Sequence, residues 1–139
     1  MEMGPVPPPN KIIPTAKKNN MKDHYAEFIA KLMEARTATH MMHLMTDSYA
    51  RHKALNGFYD TIQDQLDVVA EAAFGEYGKP SSMAINSMKV SVDSEEKYLK
   101  DLCSLVQEAR DMCKSTNIQN EIDNILTLCD KTLYLFTLK

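Results

Sequence analysis

The chain has 139 residues, 25% charged and 44% apolar, with a formal net charge of −3. That length suits one domain with a proper core, and the negative balance excludes a body that holds nucleic acid by general basicity. Four glycines and no tryptophan argue against a turn-rich all-β fold, and no apolar run approaches the ~20 residues that span a bilayer.

Residues 1–20, MEMGPVPPPNKIIPTAKKNN, hold five of the six prolines. They read as a flexible, polyproline-like arm. Its basic cluster, Lys11, Lys17 and Lys18 with Lys22 just beyond, suits a solubilising tail or a weak, salt-dependent contact to nucleic acid. The start lacks a basic stretch followed by an apolar run, so no signal peptide is expected. The three cysteines, Cys103, Cys113 and Cys129, form no Cys-x-x-Cys pair. An odd, sparse set fits a reducing compartment, and the expectation is a cytoplasmic protein with semi-buried thiols.

Residues 21–139 read as one helical domain. From Met21 to about Met45, Tyr25, Phe28, Ile29, Leu32, Met33, Ala35, Met42 and Leu44 recur at helical spacing, with His24 expected on the exposed side. Thr46-Asp47-Ser48 stops this helix, and Asp47 or Ser48 caps the next. The second helix runs to Tyr77, with Tyr49, Leu55, Phe58, Ile62, Leu66, Val69 and Ala73 on its stripe; Gly78 and Pro80 end it. Residues 79–92 break the pattern and predict a long crossover with one short helical turn around Met83–Met88. A third helix follows from Ser94, with Glu95 and Glu96 in its first turn. A fourth runs from about Ile118 to Phe136. Four helices with a long connection between the second and third is the ferritin-like arrangement, although an up-down bundle without any site has the same helix count.

Three of the four histidines, His40, His43 and His52, fall within thirteen residues. Imidazole is the commonest metal-ligating side chain. Asp67 and Glu71 lie one turn apart, on one helix face. Fifteen residues separate His52 from Asp67, roughly 22 Å along a continuous helix, too far for one ion with bonds of about 2 Å. Any centre using both clusters is therefore intersubunit, with His40 and His52 of one copy facing Asp67 and Glu71 of another. No Glu-x-x-His occurs in the chain, which removes the intrasubunit di-iron alternative. Taken alone, these residues are also what two surface histidines and an acidic pair on a solvated helix look like.

The segment HKALNGFYDTIQDQLDVVAEAA (52–73) resembles the second-helix signature of the Dps family of mini-ferritins, with His52, Leu55-Asn56-Gly57-Phe58 and Asp64-x-Leu66-Asp67-x-x-Ala70-Glu71 in register and His40 twelve residues upstream. The last helix, NIQNEIDNILTLCDKTLYLF, also looks like the family's. The resemblance implies a ferritin-like subunit of a hollow dodecamer. It implies a ferroxidase that oxidises Fe(II), preferably with peroxide, at an intersubunit site, with zinc or another divalent ion as a substitute. His40 and His52 carry over as imidazole ligands, Asp67 and Glu71 as carboxylate ligands from the neighbour, and His43 is an additional candidate. Asn56 stands where the family has an aspartate, and Met41 where it has an aromatic residue. These departures support an alternative: a shell protein with a degenerate iron site that serves a structural or DNA-protecting role. An unrelated helical adaptor is the third reading.

Overall fold

Helical periodicity and capping residues divide the chain where expected. The computed structural model describes residues 20–139, which form α1 (Met21–Met45), α2 (Tyr49–Tyr77), α3 (Glu95–Met112) and α4 (Thr116–Leu135), with no strand among the described residues. The first nineteen residues, with Lys11, Lys17 and Lys18, lie outside the described region. Ser48 caps α2 by accepting from the Arg51 amide at 3.1 Å. Gly78 ends α2 at φ 99, and its amide donates to the Phe74 carbonyl at 2.9 Å; a side chain is strained at that φ. Ser94 occupies the cap position of α3, but its hydroxyl turns back to the Ser91 carbonyl instead of the helix amides.

The helices pack around one core. α1 lies against α2, α2 against α4 and α4 against α3, while α1 and α3 touch lightly. Tyr25, Phe28, Ile29, Leu32, Leu55, Phe58, Ile62, Leu99, Ile118 and Ile122 are fully buried. Each such side chain contributes roughly 1.5–3 kcal/mol by leaving water. Cys113 and Cys129 are buried and Cys103 half-buried, all as free thiols.

Residues 78–94 join α2 to α3 without a helix, so the expected turn around Met83–Met88 does not form. Its apolar residues have no regular helical stripe to bury, and Met83 and Ile85 remain exposed. Two sets of contacts fix the ends of this connection. At one end of the bundle, Glu76 and Tyr77 of α2 meet Ser115 in the α3–α4 turn. At the other, Glu95 of α3 meets Thr46 and Arg51 at the α1–α2 turn. The connection therefore passes from one end of the bundle to the other, and α2 and α3 begin at the same end.

His24 departs from expectation. It is buried, 5% exposed, with its ring edge against Tyr25. Its Nδ1 has no hydrogen-bond partner among the described residues. The position lies four before Phe28 and eight before Leu32, on the core stripe; polarity alone suggested the outside. Burial pushes its pKa down from 6.5 to about 4. Among the described residues no helix is long and apolar enough to cross a membrane.

Candidate functional site

The short turn at Thr46-Asp47-Ser48 folds α2 back along α1 and brings His43, in the last turn of α1, against His52, in the first turns of α2. His43 Nδ1 donates to the His52 carbonyl at 2.7 Å, and His52 Nδ1 donates to the His43 carbonyl at 2.8 Å. A carbonyl only accepts, so both Nδ1 atoms carry the proton; the tautomer is assigned by the partner. The rings stack at 3.7 Å between centroids and 17° between planes. The chemistry is local: the His43 carbonyl belongs to the last turn of α1, where carbonyls have no intrahelical partner, and the His52 imidazole supplies the missing donor. His40 is exposed and stacks on Tyr59 of α2 at 4.2 Å, while Tyr59 meets His43 edge-on at 5.3 Å. The histidine concentration is thus an aromatic clasp across the hairpin.

A second device braces the same corner. Glu95, the first residue of α3, is 1% exposed. Its carboxylate accepts from Thr46 Oγ1 at 3.3 Å and from Arg51 at 3.4 Å. Arg51 also reaches Glu96 at 3.9 Å and lies over the Phe136 ring at 5.1 Å. One guanidinium on α2 therefore ties the start of α2 to the start of α3 and to Phe136 at the end of α4, and Glu95 carries the link on to Thr46 in the α1–α2 turn. Sequence reasoning missed Glu95, although a signal was present: it precedes Leu99, Leu102 and Val106 at i+4, i+7 and i+11, on the buried stripe.

Outside this braced corner stand Leu44 and Tyr49, 72% and 76% exposed, both expected in the core. Beside Tyr49 lies an apolar groove of about 440 Å³ between Ala50, Ala54, Leu135 and Leu138, flanked by Lys53 and Lys139.

The other expected site residues are not drawn together. Asp67 and Glu71 are exposed on the outer face of α2 and form no ion pair among the described residues. The helix between them and His52 is unbroken, so the separation of roughly 22 Å stands. The Asn56 amide donates to Asp60 at 2.8 Å. Lys22 packs its stem beside Gly78. Among the described residues, no group of three or more His, Cys, Asp or Glu side chains converges on a point where a metal ion would sit. Within one chain the donor set does not fit iron or zinc.

Fold and corner together define a small helical bundle with paired polar side chains at the α1–α2 turn. The model of a family of unknown function (DUF5856) matches residues 43–136, and the chain belongs to that family. It is also similar to the uncharacterized 14.6 kDa protein in the mobD-ri intergenic region of Enterobacteria phage T4, 28% identical over 116 residues that cover 81% of this chain and 88% of that protein. No solved structure matches. The family match overturns the resemblance to the Dps family. Of the residues that carried it, His52 lies stacked on His43 in the clasp, while Asp67 and Glu71 stand exposed on α2.

Proposed function

We propose that this protein is an assembly module that pairs with a second copy of itself through the α1–α2 corner. The supporting observation is a contrast within a few residues. His43, His52, Arg51 and Glu95 hold the corner's polar groups in fixed pairs, while Leu44 and Tyr49 face solvent. A braced apolar patch has little freedom left to lose on docking, and such patches make effective contact points. Its rim is mixed in sign, with Asp47 between the two apolar residues and Lys53 and Lys139 along the groove. A two-fold axis sets the same patch against itself, so that Asp47 of each copy has lysines to face.

The magnitude is bounded. Burying Leu44 and Tyr49 from both copies gains roughly 1.5–3 kcal/mol per side chain, against an association cost of about 4–15 kcal/mol. The pairing is accordingly weak unless Tyr134 and Leu138, also exposed, join it. We further infer a ferritin-like crossover, as topology alone, from the contacts that hold the two ends of residues 78–94 at opposite ends of the bundle. Sedimentation of the full chain over a range of concentrations tests the reading. Reversible dimers in the wild type, absent from Leu44→Glu/Tyr49→Glu at unchanged helicity, are expected. A wild type that stays monomeric at high concentration, or a variant that pairs as well as the wild type, contradicts it.

A further inference from the structure

The connection between α2 and α3 does not close flush against α1. It leaves two clefts in series along the seam. The first, about 350 Å³, lies at the start of α1 between Asp23, Glu27, Ser82 and Met83. The second, about 260 Å³, lies further along between Glu34, Met88, Val90, Tyr98, Leu102 and Leu105. Met33, Met83 and Ile85 are exposed large apolar residues on the α1 and connector segments that border them. The first cleft thus offers carboxylates with no base of its own, and the second offers an apolar floor whose rim carries Glu34 and Asp101 balanced by Lys31 and Lys89.

The chain preceding α1 has the complementary pattern in matching order. Counted back from Asn20, it presents Lys18 and Lys17, then a spacer of Ala16, Thr15 and Pro14, then the adjacent aliphatic pair Ile13 and Ile12. At a reach of up to ~3.3 Å per residue, the lysines come within roughly 7–10 Å of Asn20 and the isoleucines within roughly 23–26 Å. At 1.5 Å per residue along α1, the first cleft lies roughly 5–10 Å and the second roughly 16–21 Å from the same point. Both distances are within reach, and the surplus allows for the reversal of direction at the start of α1.

We propose that residues 11–18 of the same chain dock back along this seam, Lys17 and Lys18 on Asp23 and Glu27, Ile12 and Ile13 over Val90, Tyr98 and Leu102. The segment thereby covers the apolar residues that the connection leaves exposed. Burial raises the Glu27 carboxyl above its ordinary value, and a neighbouring ammonium group opposes that shift.

A photo-reactive phenylalanine analogue at Ile13 in the full chain, irradiated in dilute solution and mapped by mass spectrometry, tests the placement. Adducts within the same chain at Met83–Val90 and Tyr98–Leu105 are expected. Adducts spread over the bundle, concentrated elsewhere, or formed only between chains overturn the proposal. Hydrogen exchange of Ile12→Asp/Ile13→Asp gives a second reading, since both positions precede α1 in the sequence. Amides of residues 83–90 are expected to exchange at least about fivefold faster than in the wild type, with α4 unchanged. Equal rates in the two proteins overturn the proposal.

Discussion

The two ends of the bundle solve the same problem with different chemistry. At the α1–α2 corner, imidazole–carbonyl pairs and a guanidinium–carboxylate contact give the buried polar groups partners from several helices. At the opposite end the contacts are aromatic and largely neutral. Tyr25 stacks on Tyr77 at 5.6 Å, its hydroxyl donates to Cys113 Sγ at 3.0 Å, and Ser115 joins Tyr77 to Glu76. Burial, and then the Cys113 contact, push the Tyr25 hydroxyl far above its ordinary pKa. That end seals itself but leaves His24 Nδ1 unpaired among the described residues. The difference teaches where each end is vulnerable: the far end to protonation, the corner to loss of a partner.

Acid breaks the comparison most strongly. His24 titrates at about 4 in the fold against an ordinary 6.5, so between those values the unfolded chain binds the proton and the folded chain does not. The contribution of His24 is therefore complete above pH 6.5 and is lost as pH falls toward 4, by up to roughly 3 kcal/mol at about 1.4 kcal/mol per unit. Urea unfolding at a series of pH values, with wild type and His24→Phe side by side, isolates this contribution. The variant is expected to lose less stability over that window.

A smaller effect sharpens the corner's side of the comparison. His52→Phe keeps a ring in place but leaves the His43 carbonyl, in the last turn of α1, without its donor, at an expected cost of roughly 1–2 kcal/mol. His43→Phe removes only a second donor from the His52 carbonyl, which keeps its helix bond inside α2, and is expected to cost less, about 0.5–1 kcal/mol. The two rings are in contact, so the double variant should depart from additivity by at least about 0.5 kcal/mol. Additive losses in denaturant unfolding would mean that the rings act independently.

Much of the fold was legible because its determinants are local. Ser48, Gly78 and the apolar spacing of α1, α2 and α4 mark their helices whatever the tertiary context. The candidate site was not. Histidine and carboxylate spacing along α2 says nothing about which ring crosses the hairpin to which carbonyl, and His43 seizes His52 because the three-residue turn sets the two helices in that register. His24 was expected outside, and Glu95, rightly placed in the first turn of α3, was not seen to be buried, for a related reason. Both occupy apolar-stripe positions, and a polar side chain there goes inside when packing leaves it nowhere else. Leu44 and Tyr49 fail in the opposite sense: each continues a stripe just where the helix runs past the core and has nothing left to cover it.

The central claim, that the corner is braced within and adhesive without, is tested most directly by hydrogen exchange of the full chain at low and high protein concentration. Pairing through the corner predicts that amides of residues 43–53 slow as concentration rises, while those around Cys113 and Ser115 at the far end keep their rates. Rates at the corner that do not change with concentration, or slowing confined to the far end, would contradict it.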